Sequence, residues 1–256
     1  MPAFIDNNGV QICVERRGTG ARHVLFAHGW ISSRRMWYDA VERLDSARIT
    51  AHLLDFRGSG LSDRPPHGHH LEGYASDLRA ALEAIGEPAT VVAHSMGGRI
   101  AQFVAAHDGA KIERLILVAP GVASGRRVSK RRAELAREAF GNRARIEAFQ
   151  RAAMTAAVSR ETMDRLIEDA LVAQREVWFG DPESPGSIDF SDQLESIRVP
   201  ALCIAGANDP LAPPLRLKSD LIARIPGAIL VTLRNAGHNL PVEMPAEIAG
   251  AIERFT

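Results

Sequence analysis

The chain has 256 residues, of which 46% are hydrophobic and 24% charged, and its formal net charge is zero. This length suits one large domain, or one domain that carries an insertion, with a core that needs neither disulfides nor a structural metal. Nucleic-acid-binding proteins usually show a basic excess, so we expect no nucleic-acid partner. No apolar run reaches the roughly 18 residues of a membrane span and no secretory signal opens the chain, so we expect a cytoplasmic protein without a membrane partner.

The predicted elements alternate between strands and helices along most of the chain. Strand-like runs at residues 3–5 and 10–16 flank the turn signal Asn7-Asn8-Gly9, which predicts an antiparallel hairpin. Six apolar runs are typical of strands covered on both faces, at residues 24–27, 49–55, 90–93, 115–118, 201–205 and 229–233. Apolar residues recur at helical spacing in four segments, at residues 74–85, 98–107, 215–225 and 245–255. This order predicts an α/β fold in which a mostly parallel, twisted sheet carries helices on both faces.

One long stretch interrupts this alternation. Residues 124–176 are rich in Ala, Arg and Glu and are predicted to be helical throughout, and a loop with Pro and Gly follows at residues 181–187. We interpret residues 121–190 as a helical cap insertion between two parts of a core domain, residues 1–120 and 191–256. Basic residues near its start are interleaved with glutamates, which favours a solvated helix face. These basic residues are Arg126, Arg127, Lys130, Arg131 and Arg132.

A single serine, Ser95, lies where the predicted strand at residues 90–93 turns into a helix. Ligands of parallel sheets collect at the carboxyl ends of the strands. Ala93 and Gly97, two positions away on either side, are small enough for a very tight turn that would present the serine oxygen at the top of the sheet. A serine here could instead simply cap the helix. The short motif alone leaves both interpretations open.

The partners of the serine favour catalysis. A serine nucleophile needs a base, the base needs a group that orients it, and the expected chain order is serine, acid, histidine. Only His107 and His238 follow Ser95 among the histidines, and His107 lies within the helix that begins at the serine. His238 follows the last predicted strand, and Asp209 follows the end of the strand before it. Asp209 could also be a turn residue before a proline, but the pattern predicts the triad Ser95, Asp209 and His238.

Further residues are predicted around this triad. The backbone N–H groups of Met96 and Trp30 are the candidate donors of an oxyanion hole, and His28 is expected to hold its loop in place by hydrogen bonds. Large apolar side chains of the insertion are the candidates for the substrate pocket, which favours a small, largely apolar substrate. They are Met154, Trp178 and Phe179.

Neither a metal nor a cofactor is expected from the motifs. His67, His69 and His70 lie close together, but no cysteine is near and their spacing suits no common zinc framework, so a surface loop is favoured. Gly18-Thr19-Gly20 follows a strand but lacks the later glycine and the helix of a nucleotide-binding loop.

Five motifs appear in the order of a known family: His28-Gly29-Trp30, residues 55–63, Ala93-His94-Ser95-Met96-Gly97-Gly98, Gly206-Ala207-Asn208-Asp209 and Gly237-His238. With them the chain resembles an α/β-hydrolase of the single-domain type with a serine nucleophile and a helical cap. The resemblance covers essentially the whole chain and implies a structural role for residues 55–63. Family members with an aspartate at the nucleophile position act on haloalkanes or epoxides, and Ser95 argues against both.

The resemblance leaves several functions open, because the same scaffold serves all of them. The first hypothesis is a serine hydrolase that cleaves a carboxylic ester or lactone of a small molecule. The alternatives within enzymes are a hydrolase of carbon–carbon bonds in ring-cleavage products and a cofactor-free perhydrolase. A receptor that binds a ligand without catalysis is a further alternative, although it would not need an intact triad. The sequence gives no oligomeric state.

Overall fold

The computed structural model describes residues 2–125, 130–180 and 188–256. Within them, an eight-stranded sheet has the order β1-β2-β4-β3-β5-β6-β7-β8. The strands are β1 (Pro2–Asn7), β2 (Val10–Arg17), β3 (Arg22–Ala27), β4 (Ile49–Leu54), β5 (Ala89–His94), β6 (Ile112–Val118), β7 (Ala201–Gly206) and β8 (Ile229–Leu233).

The sheet confirms the predicted mixture of pairings. β1 and β2 form the antiparallel hairpin around Asn8 and Gly9, both of which have positive φ, as a tight hairpin turn requires. β2 also runs antiparallel to β4, whereas β3 to β8 pair in parallel. The carboxyl ends of β5, β7 and β8 therefore lie along one edge of the sheet.

Helices connect the strands. The α-helices are α1 (Tyr38–Val41), α2 (Leu71–Ile85), α3 (Ser95–His107), α4 (Lys130–Ala139), α5 (Arg143–Arg151), α6 (Arg160–Val172), α7 (Arg175–Phe179), α8 (Pro214–Leu217), α9 (Leu240–Glu243) and α10 (Pro245–Phe255). Short 3-10 helices span Arg34–Trp37 and Ser191–Ser196. None of the helices in the described ranges combines the length and apolarity that a bilayer crossing requires.

Two predicted helices differ from the structure. Residues 124–176 are not helical throughout, because the chain leaves helical geometry between α4 and α5, at 152–159 and again before α7. Asn142 and Ser159 cap α5 and α6, the helices that follow two of these breaks. Asn and Ser favour helix starts, so these residue types indicate the two breaks. The segment at 215–225 divides into α8 and a wider π turn, Lys218–Ile222. Arg126, Arg127 and the loop at 181–187 lie outside the described residues, while Lys130 and Arg131 are exposed.

The core lies on both faces of the sheet, which is why the central strands read as continuous apolar runs. On β5, Val91 packs into a cluster with Leu78 of α2 and Ile100 of α3. Its neighbour Val92 packs on the opposite face with Ile252 of α10. Successive residues of a strand point to opposite faces, so both must be apolar in a sheet that is covered twice. The sheet is held rigidly enough to fix the side chains at its edge.

Candidate active site

Ser95 sits at a sharp junction between β5 and α3. Its φ of 49° lies in the left-handed region, which non-glycine residues adopt rarely and at a cost in free energy. The turn brings α3 so close to β3 that a Cβ on Gly97 would collide with the backbone oxygen of His28. Only glycine fits there, and the strained turn presents Ser95 at the edge of the sheet.

Three side chains meet at this edge in a continuous chain of hydrogen bonds. Nε2 of His238 lies 2.9 Å from Oγ of Ser95, and Nδ1 of His238 lies 2.8 Å from Oδ2 of Asp209. His238 and Asp209 are buried, with 7% and 3% of their surface exposed. The structure thus brings together the three residues that the sequence predicted, from the ends of β5, β7 and β8.

The Asp209 carboxylate is held in its charged form. Burial raises the pKa of this carboxyl, but the hydrogen bond and charge of His238 and two backbone donors outweigh that effect and lower it. The donors are the N–H groups of Leu211 and Ala212, which lie 2.7 and 2.9 Å from Oδ1. An ionised Asp209 accepts a hydrogen bond from Nδ1–H of His238, which leaves Nε2 without a proton and able to accept one from Ser95.

The loop that carries His238 is held by a buried carboxylate that the sequence reasoning missed. Oε2 of Glu243 accepts hydrogen bonds from the N–H groups of Gly237, Thr155 and Ala156 at 2.8 to 2.9 Å. Its Oε1 accepts from the N–H of Asn239 at 2.9 Å. Gly237 and Asn239 flank His238, whereas Thr155 and Ala156 belong to the connection between α5 and α6. One side chain therefore ties the His238 loop to the connection between α5 and α6.

His94 supports the same loop from the other side. Its ring is buried and lies tilted against the ring of His238, with the ring centroids 5.0 Å apart, while its Nε2 lies 2.9 Å from the backbone oxygen of His238. Burial and the neighbouring His238 lower the pKa of His94 to about 3. A neutral ring therefore donates its Nε2 proton to that carbonyl. His94 belongs to the serine motif at residues 93–98, but the motif by itself predicts no role for it.

The two predicted oxyanion donors lie beside Ser95. The N–H of Met96 is in the first turn of α3, where backbone donors have no partner within the helix. The loop after β3 passes directly by the serine, because a Cβ on Gly29 would lie 3.2 Å from Cβ of Ser95. Trp30, the next residue, lines the same cavity as Ser95, and donation by its N–H to the oxyanion stays a prediction.

His28 holds this loop, as predicted. Its Nδ1 lies 2.8 Å from the backbone oxygen of Gly29, and its Nε2 accepts the N–H of Phe56 at 3.0 Å. Burial lowers the pKa of His28, so the ring is neutral and can donate from Nδ1 while it accepts at Nε2. The loop after β3 is thereby fixed to the loop after β4.

A cavity of about 520 Å³ opens at the serine. Ser95 and His238 lie in its wall, and so do the predicted residues Trp30, Met96, Trp178 and Phe179. The tryptophan rings of residues 30 and 178 pack edge to face at 5.5 Å. The loop after β3 and helix α7 thus share one apolar wall.

Met154 is not among the lining residues, contrary to the prediction. It packs between two apolar clusters, since the turn at 152–155 lies directly behind the His238 loop. The N–H of His238 donates to the oxygen of Ala153 at 2.7 Å, and a Cβ on Gly237 would crowd the backbone of Met154. The segment supports the histidine from behind instead of facing the cavity.

The cavity is also more charged than the predicted apolar pocket. Its lining includes four arginines and one glutamate, namely Arg99, Arg137, Arg175, Arg216 and Glu176. His69 and Tyr74 line it as well, and they hydrogen-bond to each other at 3.2 Å. No sequence pattern predicts that these residues lie together, because they come from five separate segments.

The described residues contain no group of three or more metal-ligating side chains. His69 contacts the oxygen of Pro65 at 2.9 Å, and His70 accepts the N–H of Gly73 as the cap of α2. In the stretch at 55–63, the buried Asp55 accepts hydrogen bonds from Arg34 and from the N–H of Leu61. Both segments have structural contacts that account for their polar residues.

Known proteins share this architecture and sequence. A non-heme haloperoxidase of Rhodococcus erythropolis is 24% identical over 94% of this chain and 93% of that protein. The enzyme 3-oxoadipate enol-lactonase 2 of Acinetobacter baylyi is 28% identical over 90% of this chain and 86% of its own. An esterase of Exiguobacterium antarcticum superimposes with a TM-score of 0.90 at 21% identity, covering 100% of this chain and 99% of the esterase, which is a likeness of fold.

The sequence profile of the alpha/beta hydrolase family matches residues 24–251, a range that includes the serine turn, the strand ends and the histidine loop. The sheet order and the antiparallel start agree with that match. This chain therefore belongs to the alpha/beta hydrolase family.

Proposed function

We propose that the protein is a serine hydrolase that cleaves a carboxylic ester or lactone through an acyl-enzyme on Ser95. The observation that carries this proposal is the unbroken hydrogen-bond chain from Ser95 through His238 to Asp209 at the wall of a cavity. A helix-capping serine would need neither of these partners. The enol-lactonase among the relatives is consistent with this reaction class.

In the first half of the reaction, His238 removes the proton of Ser95 while Oγ attacks the carbonyl carbon. The carbonyl π electrons move to the oxygen, which takes hydrogen bonds from the N–H groups of Met96 and Trp30. Asp209 stabilises the imidazolium that forms. When the tetrahedral intermediate collapses, the C–O bond of the alcohol breaks and His238 gives its proton to the leaving oxygen.

In the second half, water takes the place of the alcohol. His238 removes a proton from water, which attacks the acyl carbon, and the bond to Ser95 Oγ breaks as the oxygen regains its proton. The product is a carboxylic acid, or a hydroxy acid when a lactone is opened. Each oxyanion donor contributes about 3 kcal/mol to the lowering of the barrier.

The test is a panel of short aryl esters, lactones and vinylogous diketone acids with wild-type protein, Ser95→Ala and the exposed-serine control Ser46→Ala. We expect ester or lactone hydrolysis that falls by about 10⁴- to 10⁶-fold in Ser95→Ala and stays unchanged in the control. A serine-directed phosphonate should add its mass to the peptide that contains Ser95. Turnover that survives in Ser95→Ala would remove the serine from this role, and cleavage confined to the diketone acids would favour carbon–carbon bond hydrolysis.

The relative named as a non-heme haloperoxidase favours one second candidate, perhydrolysis. Here hydrogen peroxide replaces water in attacking the acyl-enzyme, so the product is a peracid, which can oxidise bromide to hypobromous acid. This activity requires a carboxylic acid or ester together with peroxide. Bromination of phenol red in an acetate and peroxide mixture measures it, and no rate above that of Ser95→Ala would exclude it.

A further inference from the structure

The arginines of the cavity differ in how their charge is used. Arg99 is 4% exposed and donates to the backbone oxygens of Val122 and Ile188, while its guanidinium lies 4.9 Å over the ring of Phe190. Burial lowers the pKa of Arg99 to about 10, with Asp189 acting in the opposite direction. Arg99 holds the wall of the cavity.

Arg216 is similarly committed. Its Nε lies 3.1 Å from Oδ2 of Asp220, and its Nη2 donates to the backbone oxygen of Gly125 at 3.2 Å. Asp220 balances its charge, so Arg216 adds little net positive charge to the cavity.

Arg137 and Arg175 have no carboxylate partner among residues 2–125, 130–180 and 188–256. Both line the cavity and both are exposed, so their side chains stand where the cavity opens to solvent. Among the described residues, neither forms an ion pair with a carboxylate. The guanidinium of Arg175 lies 5.3 Å over the ring of Phe179, a contact that orients it along the apolar wall.

We propose that Arg137 and Arg175 form an anion subsite, and that the natural substrate is an ester or lactone that carries a free carboxylate away from the scissile bond. This inference rests on the proposed hydrolysis at Ser95. Two cations, on the separate helices α4 and α7, line one opening of the cavity. Among the described lining residues, Glu176 is the acidic one. Guanidinium groups match a carboxylate in geometry, and an apolar wall strengthens the attraction because it excludes water.

The proposed subsite implies a substrate with a charged end, in place of the largely apolar substrate predicted from the sequence. The ring of Trp178 and the neighbouring Phe179 would contact the carbon chain, while the two arginines would fix its charged end. A substrate of this kind has one fixed orientation, because its carboxylate stays at the mouth while its carbonyl reaches Ser95. The arrangement also raises the local concentration of anionic substrates at the opening.

The experiment compares three 4-nitrophenyl esters of equal chain length. Their acyl chains end in a carboxylate (the suberate half ester), in the corresponding neutral amide, or in an ammonium group. The variants are Arg137→Gln, Arg175→Gln and the double variant, and Arg131→Gln is the matched control, since Arg131 is exposed on α4 but does not line the cavity. The readout is kcat/KM for each ester at low and high NaCl.

We expect the wild-type protein to prefer the carboxylate ester over the amide by about 10-fold or more, with the ammonium ester hydrolysed most slowly. The preference should fall as NaCl rises, since exposed charges are screened. It should vanish in the double variant, because kcat/KM falls far more for the carboxylate ester than for the amide, and it should persist in Arg131→Gln. Equal rates for carboxylate and amide in the wild type, or a preference that survives in the double variant, would overturn the subsite.

A binding measurement separates this proposal from the hydrolytic one. Calorimetric titration of suberate monomethyl ester into Ser95→Ala measures the subsite without turnover. The subsite is supported if Ser95→Ala shows heat of binding that is lost when Arg137→Gln and Arg175→Gln are added to it. This result would hold even if the wild type cleaves no ester. Absence of binding, combined with normal hydrolysis of the neutral ester, would leave the serine mechanism standing and refute the anion subsite.

Discussion

Replacing Glu243 by glutamine should weaken the fold and the histidine loop together. The change keeps the size of the side chain but removes its charge and turns one acceptor into a donor. The amide oxygen can still accept the three N–H groups that now meet Oε2, whereas the new NH₂ group faces the N–H of Asn239. A buried donor is then left opposite another donor.

The magnitude follows from these contacts. A hydrogen bond to a charged group contributes about 1 kcal/mol more than one to a neutral group, and an unsatisfied buried N–H costs about 1 to 3 kcal/mol. Three weakened bonds and one lost bond predict a loss of about 3 to 5 kcal/mol, after allowance for the partial exposure of the segment at 155–156. A domain with a stability of about 5 to 15 kcal/mol would remain folded at low temperature.

Urea unfolding of wild-type protein, Glu243→Gln and the exposed control Glu247→Gln measures this loss. Hydrogen exchange gives the specific signature, because the amides of Gly237, Asn239, Thr155 and Ala156 should lose protection together. The rate of ester hydrolysis should fall mainly through kcat, since His238 loses its fixed position while the cavity stays in place. A stability change within about 0.5 kcal/mol, as expected for a surface site, would refute the reasoning.

Two further predictions concern single carboxylates. In Asp209→Asn the amide NH₂ faces Nδ1 of His238 and selects the tautomer with the proton on Nε2. Because this tautomer cannot accept the proton of Ser95, kcat should fall by about 10⁴-fold. A steady-state assay that finds less than about a 10-fold loss would contradict the tautomer argument. Burial raises the pKa of Glu15, but hydrogen bonds from Tyr38, Arg34 and Arg17 outweigh it and bring the pKa from its ordinary value of 4.5 to about 2. The charged form of Glu15 therefore stabilises the fold above pH 4.5. In urea unfolding, the difference in the free energy of unfolding between wild type and Glu15→Gln should shrink as the pH falls from 4.5 to about 2. A difference that does not depend on pH would refute this assignment.

The sheet and the three residues at its edge were predictable because each depends on a short, local pattern. Consecutive apolar residues such as Val91 and Val92 indicate a buried strand from a short stretch of sequence alone. A serine, an acid and a histidine that each follow a parallel strand are expected at the same edge of the sheet. The hairpin was predictable for the same reason, since Asn8 and Gly9 can adopt the positive φ that its turn requires.

What could not be predicted depends on contacts between distant segments. Glu243 reads as an ordinary residue near the end of a short helix, and its role appears only when Thr155, 88 positions earlier, lies beside it. Met154 has the size and polarity of a pocket residue, but the turn at 152–155 packs behind His238 instead. The pairing of Arg137 with Arg175 at one opening likewise depends on how α4 and α7 are placed.

The guanidinium of Arg99 donates hydrogen bonds to the backbone oxygens of Val122 and Ile188, which are far apart in the sequence, and so holds these two points of the chain together. A loop whose ends are pinned side by side can change length and composition at small entropic cost, without altering the span that it must bridge. The stretch between these anchors can therefore vary, except where it carries contacts of its own, as the turn at 153–156 does with Glu243 and His238. For the engineer, a graft into this stretch has to keep the backbone contacts of residues 153–156, because they hold the loop that carries His238.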